Sequence, residues 1–145
     1  MKSCIQRVNK ASVWINNQCV TQIKNGLLVY LCIEKGDQEK IITHFAKKIL
    51  KLRIFQNEKK QYVSLKDIKG ECLIISQFTL CATIAKGNRP DFSAAEEASK
   101  AKKGYELFIS TCKENYEKEK IKTGVFGENM NVHAINDGPF TLIPS

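Results

Sequence analysis

The stretch Leu27-Leu28-Val29-Tyr30-Leu31-Cys32-Ile33 runs for seven residues without a charge, and the chain changes character directly after it. A strand with one wet face alternates apolar and polar residues. An unbroken run reads instead as a strand covered on both faces, central in a sheet. Lys24-Asn25-Gly26 ahead of it is a turn signal. From Asp37 the period changes: Ile41, Ile42, Phe45, Ala46, Ile49 and Leu50 recur at three- and four-residue steps with lysines opposite. That spacing predicts an amphipathic helix, with Asp37 as its N-cap and His44 beside its apolar face.

Working outward, Ser3 to Val8 and Ala11 to Ile15 are rich in β-formers, Asn16-Asn17 is a turn signal, and Cys19 to Ile23 alternates. A hairpin or meander is expected there. Downstream, Leu52 to Phe55 and Glu71 to Ile75 read as strands, the second running into Ser76-Gln77-Phe78-Thr79-Leu80. Ser93 with Glu96 has the spacing of a capping box. The helix behind it carries Ala98, Ala101, Tyr105, Phe108, Ile109, Cys112 and Tyr116 on one stripe, and Gly104 within that stripe marks a close backbone approach. Ile121 to Phe126, Met130 to Ile135 and Phe140 to Ile143 return to strands, with Gly138-Pro139 as a turn between the last two. The fold class is α+β: one domain over residues 1–145, a strongly curled, antiparallel-rich sheet or partial β-barrel with two main helices.

At 145 residues, 43% hydrophobic and 26% charged, the chain can bury a core without disulfides or a structural metal. No apolar run is long enough to cross a bilayer, and nothing in the opening MKSCIQRVNK directs export, so the expected location is the cytoplasm and no membrane is involved. Six cysteines without a CxxC pair, mostly inside apolar runs, read as buried thiols in a reducing compartment. Lys and Arg exceed Asp and Glu by 23 − 15 = +8, which favours polyanionic partners such as nucleic acid. A lysine-rich surface that only maintains solubility fits the same numbers.

The catalytic inventory is short. Two histidines without HxxxH or HExxH spacing support no metal site, and neither a GxSxG elbow nor a glycine-rich phosphate loop is present. No metal or cofactor is expected. What remains is the polar strand end Ser76, Gln77, Phe78 and Thr79, and the Gly138-Pro139 step.

Together, SQFTL at Ser76 to Leu80 and NDGPFT at Asn136 to Thr141 strongly resemble the D-aminoacyl-tRNA deacylases, formerly D-tyrosyl-tRNA deacylases. IQRV near the start, GLLV at the central strand, RIF after the first helix, RPDFS before the second and TGVF with Met130 extend the resemblance from end to end. It implies a homodimer that hydrolyses the ester joining a D-amino acid to the terminal ribose of tRNA, without a metal. It also implies that Gly138-Pro139 is a cis step inserted into the other subunit's pocket near Ser76 to Thr79. Removal of glycine mischarged on alanine tRNA is associated with the family.

On that resemblance Gly138 and Pro139 form a rigid backbone gate that reads chirality by excluding an L side chain. Thr79 is a candidate nucleophile, but no base is placed to activate it, so backbone N–H groups at Phe78 and Thr79 holding an oxyanion are preferred, with the tRNA 2′-hydroxyl assisting water. Gln77 and Phe78 fall in the pocket wall, Phe126 and Met130 near the terminal adenine, and Arg7 beside the Gly-Pro carbonyls. The rivals are a binding domain for nucleic acid without catalysis, and a related deacylase accepting a small L-amino acid.

Overall fold

A computed structural model describes residues 1–85 and 87–144. Its elements are β1 (Lys2–Ile15), β2 (Gln18–Ile23), β3 (Gly26–Cys32), α1 (Glu39–Ile49), β4 (Arg53–Gln56), β5 (Tyr62–Ser64), β6 (Glu71–Ser76), α2 (Ala98–Asn115), β7 (Ile121–Thr123) and β8 (Asn131–Leu142), with short 3-10 turns at Phe78–Cys81 and Lys118–Lys120.

The main sheet is mixed. β1 pairs antiparallel with β2 and β3 along one edge and with β8 along the other, while β3, β6 and β7 run parallel. β4 and β5 form a separate two-stranded ribbon. The unbroken apolar runs of β3 and β6 are explained by two cores. Leu27, Val29, Leu31, Cys72 and Ile74 face the helices, and Leu28, Leu73 and Ile75 face Val8, Ala11, Val13 and Ile23 inside the curl of the sheet. Alternate residues point to opposite faces, so a strand buried on both sides has no place for a charge. Each such side chain contributes about 1.5–3 kcal/mol by leaving water.

The helices cross where Gly104 sits, and an added Cβ there would meet Ile42 Cδ1 at 3.2 Å and Ile33 Cγ1 at 3.3 Å. The close approach read from the sequence is present.

Both helix starts differ from expectation. α1 begins at Glu39, without a side-chain cap, because Asp37 is engaged elsewhere: its carboxylate accepts from the Glu34 N–H at 2.8 Å and from the Met1 ammonium at 2.7 Å. α2 begins at Ala98, and the Ser93 hydroxyl donates to Asp91 at 3.0 Å instead of capping it. His44 is exposed rather than tucked against the apolar face. The six cysteines are not all thiols: Cys32 and Cys81 are joined in a disulfide, because the turn after β6 folds back over the end of β3.

The Met1 ammonium also donates to Glu34 at 2.6 Å. Burial pulls its pKa down, but the hydrogen bonds and charges of Asp37 and Glu34 outweigh that, and the net shift is upward from 8.0. A raised pKa contributes stability that is fully present below 8.0 and lost as pH rises through the higher folded value. Melting temperature followed from neutral pH into the alkaline range is therefore expected to decline, and Asp37→Asn to flatten that decline.

No helix among the described residues is long and apolar enough to cross a membrane.

Candidate active site

The carboxyl ends of the three parallel strands point the same way, and the segments leaving them enclose a cleft of about 730 Å³. Leu31 and Cys32 come from the end of β3 with Ile33 just beyond it, Ser76 to Thr79 from the end of β6 and the turn after it, and Phe126 to Met130 from the loop after β7. Ala98 and Ala101 of α2 close one side. Volume and mixed lining suit a small organic group with one polar end.

Ser76 ends the ladder, and the Gln77 N–H donates to the Leu31 carbonyl at 2.8 Å, which fixes where the strand stops. The chain then tightens into the turn Phe78–Cys81, whose first internal bond runs from the Leu80 N–H to the Gln77 carbonyl at 3.2 Å. The N–H groups of Phe78 and Thr79 come ahead of that bond, where a helical turn leaves donors without internal partners. The Gln77 amide donates to the Thr79 hydroxyl oxygen at 2.5 Å, which leaves the hydroxyl proton free to donate into the cleft. Thr79 is exposed, and Phe78, 57% exposed, stands edge-on to Phe92 with centroids 5.2 Å apart.

Across the cleft, Phe126 leans on Tyr105 at 5.7 Å between centroids, and the Tyr105 hydroxyl donates to the Ile74 carbonyl at 2.8 Å. Burial, with the neighbouring Cys72, pushes the Tyr105 pKa far up, so it remains a neutral donor that ties α2 to β6. Met130 folds under the same loop: its sulfur lies 3.4 Å from the Val125 N–H and would stand 2.7 Å from a Cβ at Gly124. The absence of a side chain at Gly124 is what seats Met130 there. Among the described residues no cluster of His, Cys, Asp or Glu has metal-binding spacing.

Gly138 and Pro139 lie elsewhere. They do not line this cleft, and they do not turn between two strands as the sequence suggested; both lie within the one strand β8. Asn136 pairs with Val8 and Thr141 with Gln6, so Asp137, Gly138, Pro139 and Phe140 bulge out opposite Arg7 alone. The Gly138-Pro139 peptide is cis. Arg7 braces the bulge: its guanidinium meets the Asp137 carboxylate at 2.7 Å, donates to the Gly138 carbonyl at 3.1 Å, and packs 4.5 Å from the Phe140 ring centroid. A third donor bonds the Ile54 carbonyl. The Asn136 amide spans the base of the bulge, donating to the Arg7 carbonyl at 2.9 Å and the Phe140 carbonyl at 3.3 Å.

Ser76, Gln77, Phe78, Thr79, Phe126 and Met130 are thus brought together in one cleft, while Arg7 of β1 and the exposed Gly138 and Pro139 of β8 form a second assembly. Asn136, Asp137 and the Ile54 carbonyl were missed as braces. Asn136 and Asp137 sit inside the NDGPFT motif, but only the register opposite Arg7 exposes their role.

The family described as D-Tyr-tRNA(Tyr) deacylase matches residues 4–145. A D-aminoacyl-tRNA deacylase of Thermosipho africanus is 47% identical over 144 residues, covering 99% of this chain and 95% of the relative. The chain belongs to the D-aminoacyl-tRNA deacylase family.

The deacylase of Aquifex aeolicus is similar at 46% identity, with 99% and 96% covered. Among solved structures, that of a protein named c-Myc DNA Unwinding Element Binding Protein superposes with a TM-score of 0.95 at 39% identity, covering 100% of this chain and 98% of that one. A structure described as a probable eukaryotic D-amino acid tRNA deacylase shares the fold, with a TM-score of 0.85 at 16% identity, covering 98% and 97%. This deacylase is accordingly a hydrolase that removes D-amino acids from tRNA.

For the deacylase, Arg7→Ala is expected to lower stability by about 1.5–3 kcal/mol, the range for hydrogen bonds to a charged group. On the proposal made below, in which the bulge completes the active site, deacylation of D-tyrosyl-tRNA should fall about tenfold, part of the roughly 100-fold cost of a full ångström of misplacement. Arg7→Lys should rescue little, since an ammonium lacks the planar fork that reaches a carboxylate and two carbonyls at once. Chemical denaturation and initial rates on the same preparations check both.

Proposed function

We propose that the deacylase works as a homodimer, each active site joining the cleft of one subunit to the Asp137–Phe140 bulge of the other. The carrying observation is that Gly138 and Pro139, at the tip of the bulge, are exposed and stand outside the cleft of their own chain. β8 supports this, since among the described residues it pairs only with β1 and carries Ile135, 59% exposed, along its length. An edge strand of twelve residues with an apolar side chain facing water invites pairing with a second copy.

In such a site the exposed backbone of Gly138 and Pro139 faces the α-carbon of the bound ester. The main-chain carbonyls accept from the α-amino group, and an L side chain would run into the backbone. A D side chain points outward, so its identity is not read. Glycine offers no side chain to exclude, so glycyl-tRNA formed on alanine tRNA is accepted. The ester carbonyl rests against the Phe78 and Thr79 N–H groups, which hold the charge of the tetrahedral intermediate. The terminal adenine stacks beside Phe126 and Met130, and the tRNA 2′-hydroxyl helps orient water. The +8 charge attracts the acceptor stem.

Mixing variants tests the shared site. A Gly138→Ala subunit keeps its cleft and a Thr79→Pro subunit keeps its bulge, so each homodimer is inactive while a mixed dimer contains one whole site. Co-refolding the two should restore about a quarter of the wild-type rate, because half the dimers are mixed and each has one competent site. No restoration overturns the reading. D-tyrosyl-, L-tyrosyl- and glycyl-tRNA are then compared with the wild type, with the L-ester expected to survive.

One observation favours a second reading: the solved relative at 39% identity is named for binding a DNA unwinding element. Duplex DNA is then a further polyanionic partner, and competition between duplex DNA and deacylated tRNA at two salt concentrations distinguishes a specific site from general attraction.

A further inference from the structure

The disulfide links the wall of the cleft to the turn that would hold the oxyanion. Cys32 ends β3 and lines the cleft, while Cys81 ends the turn that begins with Phe78 and Thr79. Their α-carbons are 6.6 Å apart, 49 residues removed in sequence. Apart from the disulfide, the turn is held by the Phe78 ring against Phe92 and by the pairing of Thr83 with Asp91 just beyond it. Phe78 and Thr79 are exposed, and the Leu80 and Ala82 N–H bonds close only on carbonyls of Gln77 and Thr79 next to the turn or within it. The tie from Gln77 to Leu31 precedes the turn, which leaves Cys81, 1% exposed, as its buried foot.

We infer that Cys32 and Cys81 are a reversible thiol–disulfide site whose oxidised form pins the Phe78–Cys81 turn and sets the rate of deacylation. The inference rests on the reading that the Phe78 and Thr79 N–H groups hold the oxyanion. The same place also accommodates the reduced form. The Cys32 sulfur is 3.5 Å from the Phe78 carbonyl oxygen and 3.6 Å from that of Ile33, so a thiol there has acceptors for its proton. In that state the covalent tie is replaced by one weak S–H bond, and the turn gains freedom. The remaining cysteines do not compete for the role. Cys4, Cys19, Cys72 and Cys112 are free thiols, and none of them lines the cleft.

The oxidant class is a low-molecular-weight disulfide. The Cys32 thiolate, 2% exposed at the wall of the cleft and uncovered as the loosened turn opens, attacks one sulfur of it and expels a thiolate, leaving a mixed disulfide on Cys32. The Cys81 thiolate then attacks the Cys32 sulfur and expels the second. Two protons and two electrons leave the protein, and one small disulfide becomes two small thiols. Reduction by a dithiol or a phosphine reverses the change at the protein.

The test counts thiols and measures rates in both states. Protein purified without reductant and denatured should titrate as four thiols, and as six after reduction; six at the outset overturns the inference. On D-tyrosyl-tRNA, kcat should fall about tenfold on reduction and recover with oxidised glutathione, a share of the roughly 100-fold cost of an ångström of misplacement. Cys81→Ala should match the reduced wild type and fail to regain activity with oxidised glutathione, which can at most leave a mixed disulfide on Cys32, with Cys32→Ser as the second variant should the first fold poorly. Equal kcat in the two redox states overturns the inference. The D-over-L ratio from the same reactions reports separately on the Gly-Pro gate, and Thr79→Pro reports separately on the oxyanion.

Discussion

Gly138→Ala should leave the subunit as stable as the wild type, or slightly more so, and reduce deacylation of D-tyrosyl-tRNA to below about one-hundredth. In the single chain an added Cβ at Gly138 meets nothing within 4 Å, and its φ lies outside the left-handed region. Alanine at a compatible backbone position narrows the unfolded ensemble and stabilises by about 0.4–1 kcal/mol. The loss of activity comes from the proposed second half of the site. A methyl group on the surface that approaches the substrate α-carbon holds the ester away from the turn, and an ångström of displacement costs about 100-fold. Thermal melting and initial rates measured together separate this outcome from simple damage. An active variant would show that Gly138 does not approach the substrate.

Two substitutions at Thr79 should diverge by about two orders of magnitude in kcat, which separates the backbone from the side chain. Thr79→Pro removes the N–H and should lower kcat by about 10²–10³, the usual effect of losing one oxyanion donor. Thr79→Ala keeps the N–H and removes only the hydroxyl that accepts from Gln77, so kcat should drop less than about tenfold. A nucleophilic threonine instead predicts both variants inactive, because proline lacks the hydroxyl as well as the N–H, so the activity of Thr79→Ala is the deciding value. Rates on D-tyrosyl-tRNA, with binding of deacylated tRNA as the control for folding, decide between them.

Much of this fold is readable from local pattern. Hydrophobic period identified β3 as doubly covered and located both helices, because burial is repeated at each turn or strand step and leaves a record in neighbouring residues, and the glycine within the second stripe marked a close backbone approach at Gly104. The motifs SQFTL and NDGPFT likewise located the cleft turn and the bulge as segments. Helix starts were less legible. Asp37 and Ser93 are good caps by type, but an ammonium and Asp91 compete for them in space.

What only the tertiary structure decided are matters of register and distance. The parallel run of β3, β6 and β7 gathers three strand ends into one cleft, and nothing local distinguishes parallel from antiparallel neighbours. Gly138-Pro139 became a bulge rather than a turn because β1 continues to pair on both sides of Arg7, a constraint set about 130 residues away in sequence. Cys32 and Cys81 are ordinary small hydrophobes until the turn after β6 folds them together. Local chemistry thus determined which segments form and which residues can act, and long-range packing decided which of them meet.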